Sequence, residues 1–279
     1  MALGMTIAMR APFSVIEPTA AEETPLVVEI PHAGLDLDGP TLANLAAPAR
    51  AIGRDADLYV DALYAGAEQR GATMIVAHVS RYVVDLNRSE LDVDAESVEG
   101  ASSSARATRG IVWRLTSDGA RVLDAPLPRP ELERRLETYY RPYHAAIQAA
   151  LAKKKARFGF AILLAAHSMP SMSRTASAAV ERADVVPGTR KRTSAAATFI
   201  DAVDAHARAA KLSVAHDDPY QGGYTTQQYG RPATGIHVVQ VELARRLYMV
   251  ESTLTKGPGF ERTRAFCGGL VDVLARARP

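Results

Sequence analysis

Phe160-Ala161-Ile162-Leu163-Leu164-Ala165-Ala166-His167-Ser168 decides how this chain is read. An unbroken apolar run stands between Gly159 and Pro170 and ends on a histidine. Such a run, bounded by turn residues, fits a strand buried on both faces. Ligands of open α/β sheets gather at the carboxyl ends of the strands, so His167 stands where chemistry is expected. Leu26-Val27-Val28-Glu29-Ile30 has the same design and runs into Pro31-His32-Ala33-Gly34. Either histidine alone reads most simply as a strand end. Two of them, delivered by two strands of one sheet, point to a shared ligand, and imidazole is the commonest metal ligand.

The segments around these strands extend the α/β pattern. Asp55 to Arg70 carries Leu58, Leu63, Tyr64 and Ala67 at helical spacing, and Gly71 ends it. Ala72 to Val79 reads as the next strand and Tyr82 to Leu86 as a short one after it. Strand, helix, strand favours a parallel or mixed sheet. Asn87 to Gly110 is polar and reads as a surface loop or lid. Ser117-Asp118-Gly119 lies between the β-prone runs 111–115 and 120–123, which is a hairpin signal. Pro130 opens a helix expected to reach about Arg157, with Pro142 as a kink point. Met169 to Arg192 is a long irregular segment, Thr193 to Ala210 a helix, Leu212 to Ala215 a short strand and Asp217 to Thr234 a glycine-rich binding loop. Ile236 to Leu243 reads as a strand and Pro258 to Arg276 as the last helix. The reading is a loosely ordered segment over 1–24 followed by one domain over 25–279.

Composition limits the function classes. Apolar residues make up 47% of 279 residues, charged residues 23%, and the net charge is +2, ordinary for a folded soluble protein. So weak a charge gives no steering of nucleic acid or membrane. A single cysteine, Cys267, excludes an internal disulfide and a zinc–thiolate cluster, so any metal must be held by His and carboxylate. No apolar run reaches about 18 residues, and residues 1–25 lack a secretory pattern. The cytoplasm is the default compartment.

Zinc in hydrolases is usually held by three protein ligands, with one position left open. His32 and His167 supply two, and the third is expected to be a carboxylate. Asp57 is the candidate, as a residue opening the helix after the first strand, with Asp55 and Asp61 as competitors. A metal-bound water needs a base. Glu242 fits, because a carboxylate inside Val238-Val239-Gln240-Val241-Glu242-Leu243 is costly to bury unless paired or used. Its plain alternative is pairing with Arg245 or Arg246. Arg81 with Asn87-Arg88 forms a third group, able to clamp a carboxylate with parallel N–H donors. Ser168 beside His167 is adjacency rather than triad geometry, and no Gly-x-Ser-x-Gly elbow occurs.

These motifs together resemble the N-formylglutamate amidohydrolases. The matching stretches are Ile30-Pro31-His32-Ala33-Gly34, Asp55-Ala56-Asp57, Ser80-Arg81-Tyr82-Val83-Val84-Asp85-Leu86-Asn87-Arg88 and Tyr140-Arg141-Pro142-Tyr143-His144. Ala166-His167-Ser168, Gly222-Gly223-Tyr224, Tyr229-Gly230-Arg231-Pro232 and Val239-Gln240-Val241-Glu242-Leu243 follow in the family's order. The resemblance implies an α/β three-layer sandwich, distantly similar to zinc carboxypeptidases, whose mixed, mostly parallel sheet carries helices on both faces. It also implies Zn2+ at His32, Asp57 and His167, Glu242 as general base, and Arg81, Asn87 and Arg88 on a substrate carboxylate. Tyr224, His237 and, from the loop after His167, Arg174 are further expected substrate contacts. Ala165 departs from the family, which commonly carries Asp there, and the loops over 92–109 and 171–190 are this chain's own. The expected activity is zinc-dependent hydrolysis of the C–N amide bond of an N-acyl amino acid. A zinc peptidase with the same site and a non-catalytic binder of an amino-acid-like ligand are the alternatives. The oligomeric state is left open.

Overall fold

The computed structural model describes residues 10–19, 22–102, 108–174 and 179–279, the side chain of Arg174 excepted. Strands β1 (Phe13–Ile16), β2 (Leu26–Ile30), β3 (Thr73–Ala77) and β4 (Ala161–Met169) precede a small hairpin, β5 (Met172–Arg174) and β6 (Ala179–Glu181). β7 (Val185–Gly188) and β8 (Ile236–Ala244) follow, and β9 (Met249–Val250) pairs with β10 (Thr255–Lys256). Six strands form one sheet in the order β1-β3-β2-β4-β8-β7. β3, β2, β4 and β8 run parallel, and β1 and β7 close the two edges antiparallel.

The helices are α1 (Gly39–Ala43), α2 (Ala49–Asp55), α3 (Val60–Tyr64), α4 (Arg129–Arg135), α5 (Arg141–Phe158), α6 (Ala197–Ala209), α7 (Tyr224–Tyr229) and α8 (Phe260–Arg276). α3, α6 and α8 cover one face of the sheet, packing on Leu26, Val28, Ile30, Ile162, Leu164, Val239 and Val241. α4 and α5 cover the other, over Val27, Ile75, Leu163 and Val238. The expected three layers and mostly parallel sheet are present. β4 is wholly buried along its nine residues, as its apolar run requires.

Several local expectations are corrected. The segment 1–24 was expected to be loose, yet Phe13–Ile16 forms an edge strand on β3; its residues 1–9 and 20–21 lie outside the described part. The single helix over 55–70 is broken: α2 ends at Asp55, Tyr59 is left-handed with φ 67°, and α3 is short. Tyr82 to Leu86 is a buried turn rather than a strand. The 111–123 hairpin keeps its turn but only one bridge, Leu115 to Arg121. Leu212 to Ala215 likewise makes a single bridge, Val185 to Val214. The helix from Arg129 to Phe158 passes through one wide π turn, Leu136–Tyr140, directly before Pro142. That turn accommodates the missing proline N–H without ending the helix. Gly159 at φ 82° then ends it and turns the chain into β4.

Candidate metal and hydrolase site

His167 and Glu242 are register partners on the neighbouring parallel strands β4 and β8. His32 follows β2, the next strand over. These three strands therefore bring their carboxyl ends to one place, a cleft of about 420 Å³. The imidazole centroids of His32 and His167 are 4.9 Å apart.

Asp57 joins them by a short local route. Its backbone N–H donates to the carbonyl of His32 at 2.9 Å, so the Ala56–Tyr59 turn lies against the end of β2. Asp57 Oδ2 is then 3.1 Å from His167 Nδ1 and 3.6 Å from His32 Nδ1. One potential ligand atom from each of the three residues falls within 4.8 Å of the others, and all three residues are buried. Arg245 holds that turn in place. Its guanidinium donates to the carbonyls of Arg54 (2.6 Å) and Ala56 (2.7 Å) and to Asp57 Oδ1 (3.3 Å). The alternative pairing of Arg245 with Glu242 is not made. Asp55 and Asp61, the competing carboxylates, are placed elsewhere: Asp55 accepts from Tyr82 and the Ser117 turn, and Asp61 is exposed on α3.

A second carboxylate, Asp85, orients His32. Asp85 Oδ1 is 2.8 Å from His32 Nε2. The other ring nitrogen of His32, Nδ1, faces Asp57. Such a carboxylate behind a histidine fixes the tautomer that a metal ligand needs. Asp85 Oδ2 also accepts from Trp113 Nε1 at 2.8 Å and Arg81 at 2.9 Å. Burial opposes ionisation of Asp85, but Arg81 and His32 hold its carboxyl well below the usual range. Burial likewise works against the charge on Asp57, and the hydrogen bonds of His167 and His32 outweigh it. The residues present fit a divalent cation: two imidazoles and one carboxylate converge, with no thiol among them.

Glu242 sits above this group without an ion pair. Its Oε1 accepts from Gln240 Nε2 at 2.9 Å. Burial pushes its carboxyl up to about 7, opposed by the nearby His167. A carboxylate poised near neutrality is suited to taking and returning a proton.

The expected substrate contacts divide. Arg81, Asn87 and Arg88 all line the cleft. Arg81, however, is spent on Asp85 and on the carbonyl of Asp55. Asn87 Oδ1 accepts the Thr225 N–H at 2.9 Å, which turns Nδ2 towards His167 Nε2 at 3.2 Å. A side chain on Gly223 would stand 2.3 Å from that amide, so glycine is required there. Arg88 uses Nε on the Arg109 carbonyl and Nη1 on the Asn87 carbonyl. Tyr224 does not reach the cleft; its ring packs on Tyr140 and His144, and only its N–H turns to Asn87. His237 is corrected too. It opposes Ile162, five residues back from Glu242, or about 16 Å along the strand. It faces the other side of the sheet, its ring tilted against Phe199 at 4.8 Å and accepting the Ala196 N–H. Arg174 ends β5, and its side chain lies outside the described residues. Asp85 and Arg245 were not singled out as site residues. Val83-Val84-Asp85-Leu86 carries the same signal as Glu242, a carboxylate inside an apolar run. Tyr220, Trp113 and Arg109 also line the cleft unpredicted.

Known proteins resemble this chain along most of its length. A sequence profile described as N-formylglutamate amidohydrolase matches residues 24–249. N-formylglutamate deformylase of Pseudomonas aeruginosa is 36% identical over 259 residues, covering 90% of this chain and 92% of that protein. The N-formylglutamate deformylase of Pseudomonas putida is 32% identical over 231 residues, covering 82% and 83%. The crystal structure of N-formylglutamate amidohydrolase from Ralstonia eutropha superposes with a TM-score of 0.86 at 30% identity, covering 95% of this chain and 98% of that one. With three-quarters or more of its length matched each time, the chain belongs to the N-formylglutamate amidohydrolase family.

Proposed function

We propose that the protein is a zinc-dependent deformylase that hydrolyses the C–N amide bond of an N-formyl amino acid carrying a second carboxylate, such as N-formylglutamate. The convergence of His32, Asp57 and His167 beneath an unpaired Glu242 carries this reading. His32 and His167, each through a ring nitrogen, and Asp57 through a carboxylate oxygen would hold the cation. When bound, Zn2+ supplies Lewis-acid polarisation of the carbonyl and lowers the pKa of water towards about 7. Glu242 takes the proton of the attacking water and returns it to the departing amine nitrogen. Gln240 fixes the Glu242 carboxylate through one oxygen, leaving the other for that transfer.

The cleft's arginines support a dianionic substrate. Arg54, Arg81 and Arg245 have carboxylate partners within the protein. Arg88 and Arg109 have none among the described residues, and both line the cleft. Two guanidinium groups without anions suit two carboxylates of one ligand, each pair contributing charge-assisted hydrogen bonds. The small volume of the cleft among the described residues supports an amino-acid-sized ligand over a peptide.

Glu242→Gln tests the reading. Turnover of N-formylglutamate is expected to fall by about 10²–10⁴-fold, the usual contribution of a general base, while the zinc content is unchanged. A fully active Glu242→Gln variant would remove Glu242 from the reaction.

A further inference from the structure

Arg190, Lys191 and Arg192 follow one another in the left-handed region, with φ of 53°, 59° and 62°. None is glycine, so each conformation crowds a Cβ against the backbone and is costly. Strain of this kind persists only where the surroundings enforce it, and it collects around functional sites. Here much of the enforcement comes from one carboxylate. Asp217 Oδ1 accepts the Thr189 N–H at 2.6 Å, and Oδ2 accepts the Thr189 hydroxyl and the Lys191 N–H, each at 3.0 Å. Thr189 Oγ1 in turn accepts the Arg192 N–H at 2.9 Å. Asp217 is itself left-handed, at φ 58°, and its N–H donates to the Pro187 carbonyl at 2.9 Å.

The turn abuts one wall of the cleft. The Arg190 N–H donates to the Gln221 carbonyl at 2.8 Å. Gly188, the last residue of β7, meets the same segment: a Cβ there would stand 2.6 Å from the Gly222 nitrogen, so the two backbones pack with no side chain between them. Tyr220, Gln221, Gly222 and Gly223 line the cleft. The Gly223 N–H donates to Gln240 Oε1 at 2.7 Å. With its oxygen taken, Gln240 turns Nε2 to Glu242 Oε1 at 2.9 Å. Hydrogen bonds and the backbone between 221 and 223 therefore connect Asp217 to Glu242 without a gap.

We propose that Asp217 is a positioning residue for the hydrolytic site: by holding the left-handed turn 190–192, it fixes the 221–223 wall of the cleft and, through Gln240, the Glu242 carboxylate. The catalytic part of this inference rests on the hydrolase reading above, whereas the placing of the wall does not. Asp217→Ala tests it with two readouts. One is the pair of backbone amide signals of Gly222 and Gly223 in an assigned ¹H–¹⁵N correlation spectrum. The other is kcat/KM for N-formylglutamate at full zinc loading. Asp217→Ala is expected to move both signals and to lower kcat/KM by about ten- to a hundredfold, as a small misplacement of a site commonly does. Combining it with Lys191→Gly and Arg192→Gly, which adopt a positive φ without strain, is expected to recover most of both readouts. Asp217→Asn keeps the size and one acceptor oxygen. It is expected to shift both readouts the same way to a smaller extent, which covers the case where the alanine variant fails to fold. A folded Asp217→Ala or Asp217→Asn variant with unmoved glycine signals would overturn the proposal, and so would moved signals with parental kcat/KM. No recovery on adding the two glycines would detach Asp217 from the turn and overturn it as well. A parent protein inactive on formyl amino acids would defeat the hydrolase reading alone, since the glycine signals still decide whether Asp217 sets the wall.

Discussion

The two faces of the central strands are built from alternate residues of the same segments, and they differ completely in chemistry. Towards α3, α6 and α8 they present Val28 and Ile30, Ile162 and Leu164, Val239, Val241 and Leu243, all wholly buried. Towards α4 and α5 the intervening positions carry Glu29, His167, Gln240 and Glu242, also buried. Side chains alternate strictly along a strand, so one sheet supports a dry core on one side and a polar site on the other. Stability comes from the first face, at about 25 cal/mol per Å² of apolar area removed from water. The second face gives up some of that gain for buried acids and imidazoles.

The sharpest way to break this comparison is to move one carboxylate by one residue. Val241→Glu puts on the dry face the group that Glu242 carries on the wet one. With no partner there, it is expected to cost more than about 4 kcal/mol, read as loss of soluble yield or a collapse of the melting temperature. Survival of Val241→Glu with a parental melting curve would show that the faces are less distinct than described.

A smaller effect is expected from Glu29. Its folded carboxyl is raised to about 8 from 4.5, so the folded state keeps a proton that the unfolded chain releases. Its contribution to stability is therefore complete below the unfolded value and is lost as pH rises towards 8. Glu29→Leu should gain on the parent between pH 5 and pH 8, by at most about 1.4 kcal/mol per pH unit. Urea titrations at the two pH values measure this, and a difference independent of pH would show Glu29 to be ionised throughout.

The smallest effect belongs to His237, the one polar side chain of β8 that faces the dry side. His237→Phe should keep kcat/KM within about twofold and lose about 1 kcal/mol of stability, for the Ala196 N–H left without its acceptor. A large loss of activity would return His237 to the site.

How much of this was legible in the sequence follows from the same alternation. β4 and β8 announce themselves because both faces are buried, so their apolar runs are nearly continuous. His32, His167 and Glu242 are legible for the same reason, as polar residues in or at the end of such runs. Asp57 was expected at a helix start, yet it reaches the site through a turn. Its placement depends on the left-handed Tyr59 and on Arg245 from 188 positions away, neither of which has a local signature. His237 misled because it shares a strand with Glu242, while parity and distance along β8 put it elsewhere. β1 escaped notice because four half-exposed edge residues carry too little pattern to stand out.

The central claim is that His32, Asp57 and His167 share one cation. Metal analysis of the parent protein and of His32→Ala, His167→Ala and Glu242→Gln, each reconstituted with zinc and freed of excess, tests it most directly. The parent and Glu242→Gln should hold about one zinc per chain, and both histidine variants should hold almost none. Stoichiometric zinc in either folded histidine variant, or none in a parent that still deformylates its substrate, would contradict the account.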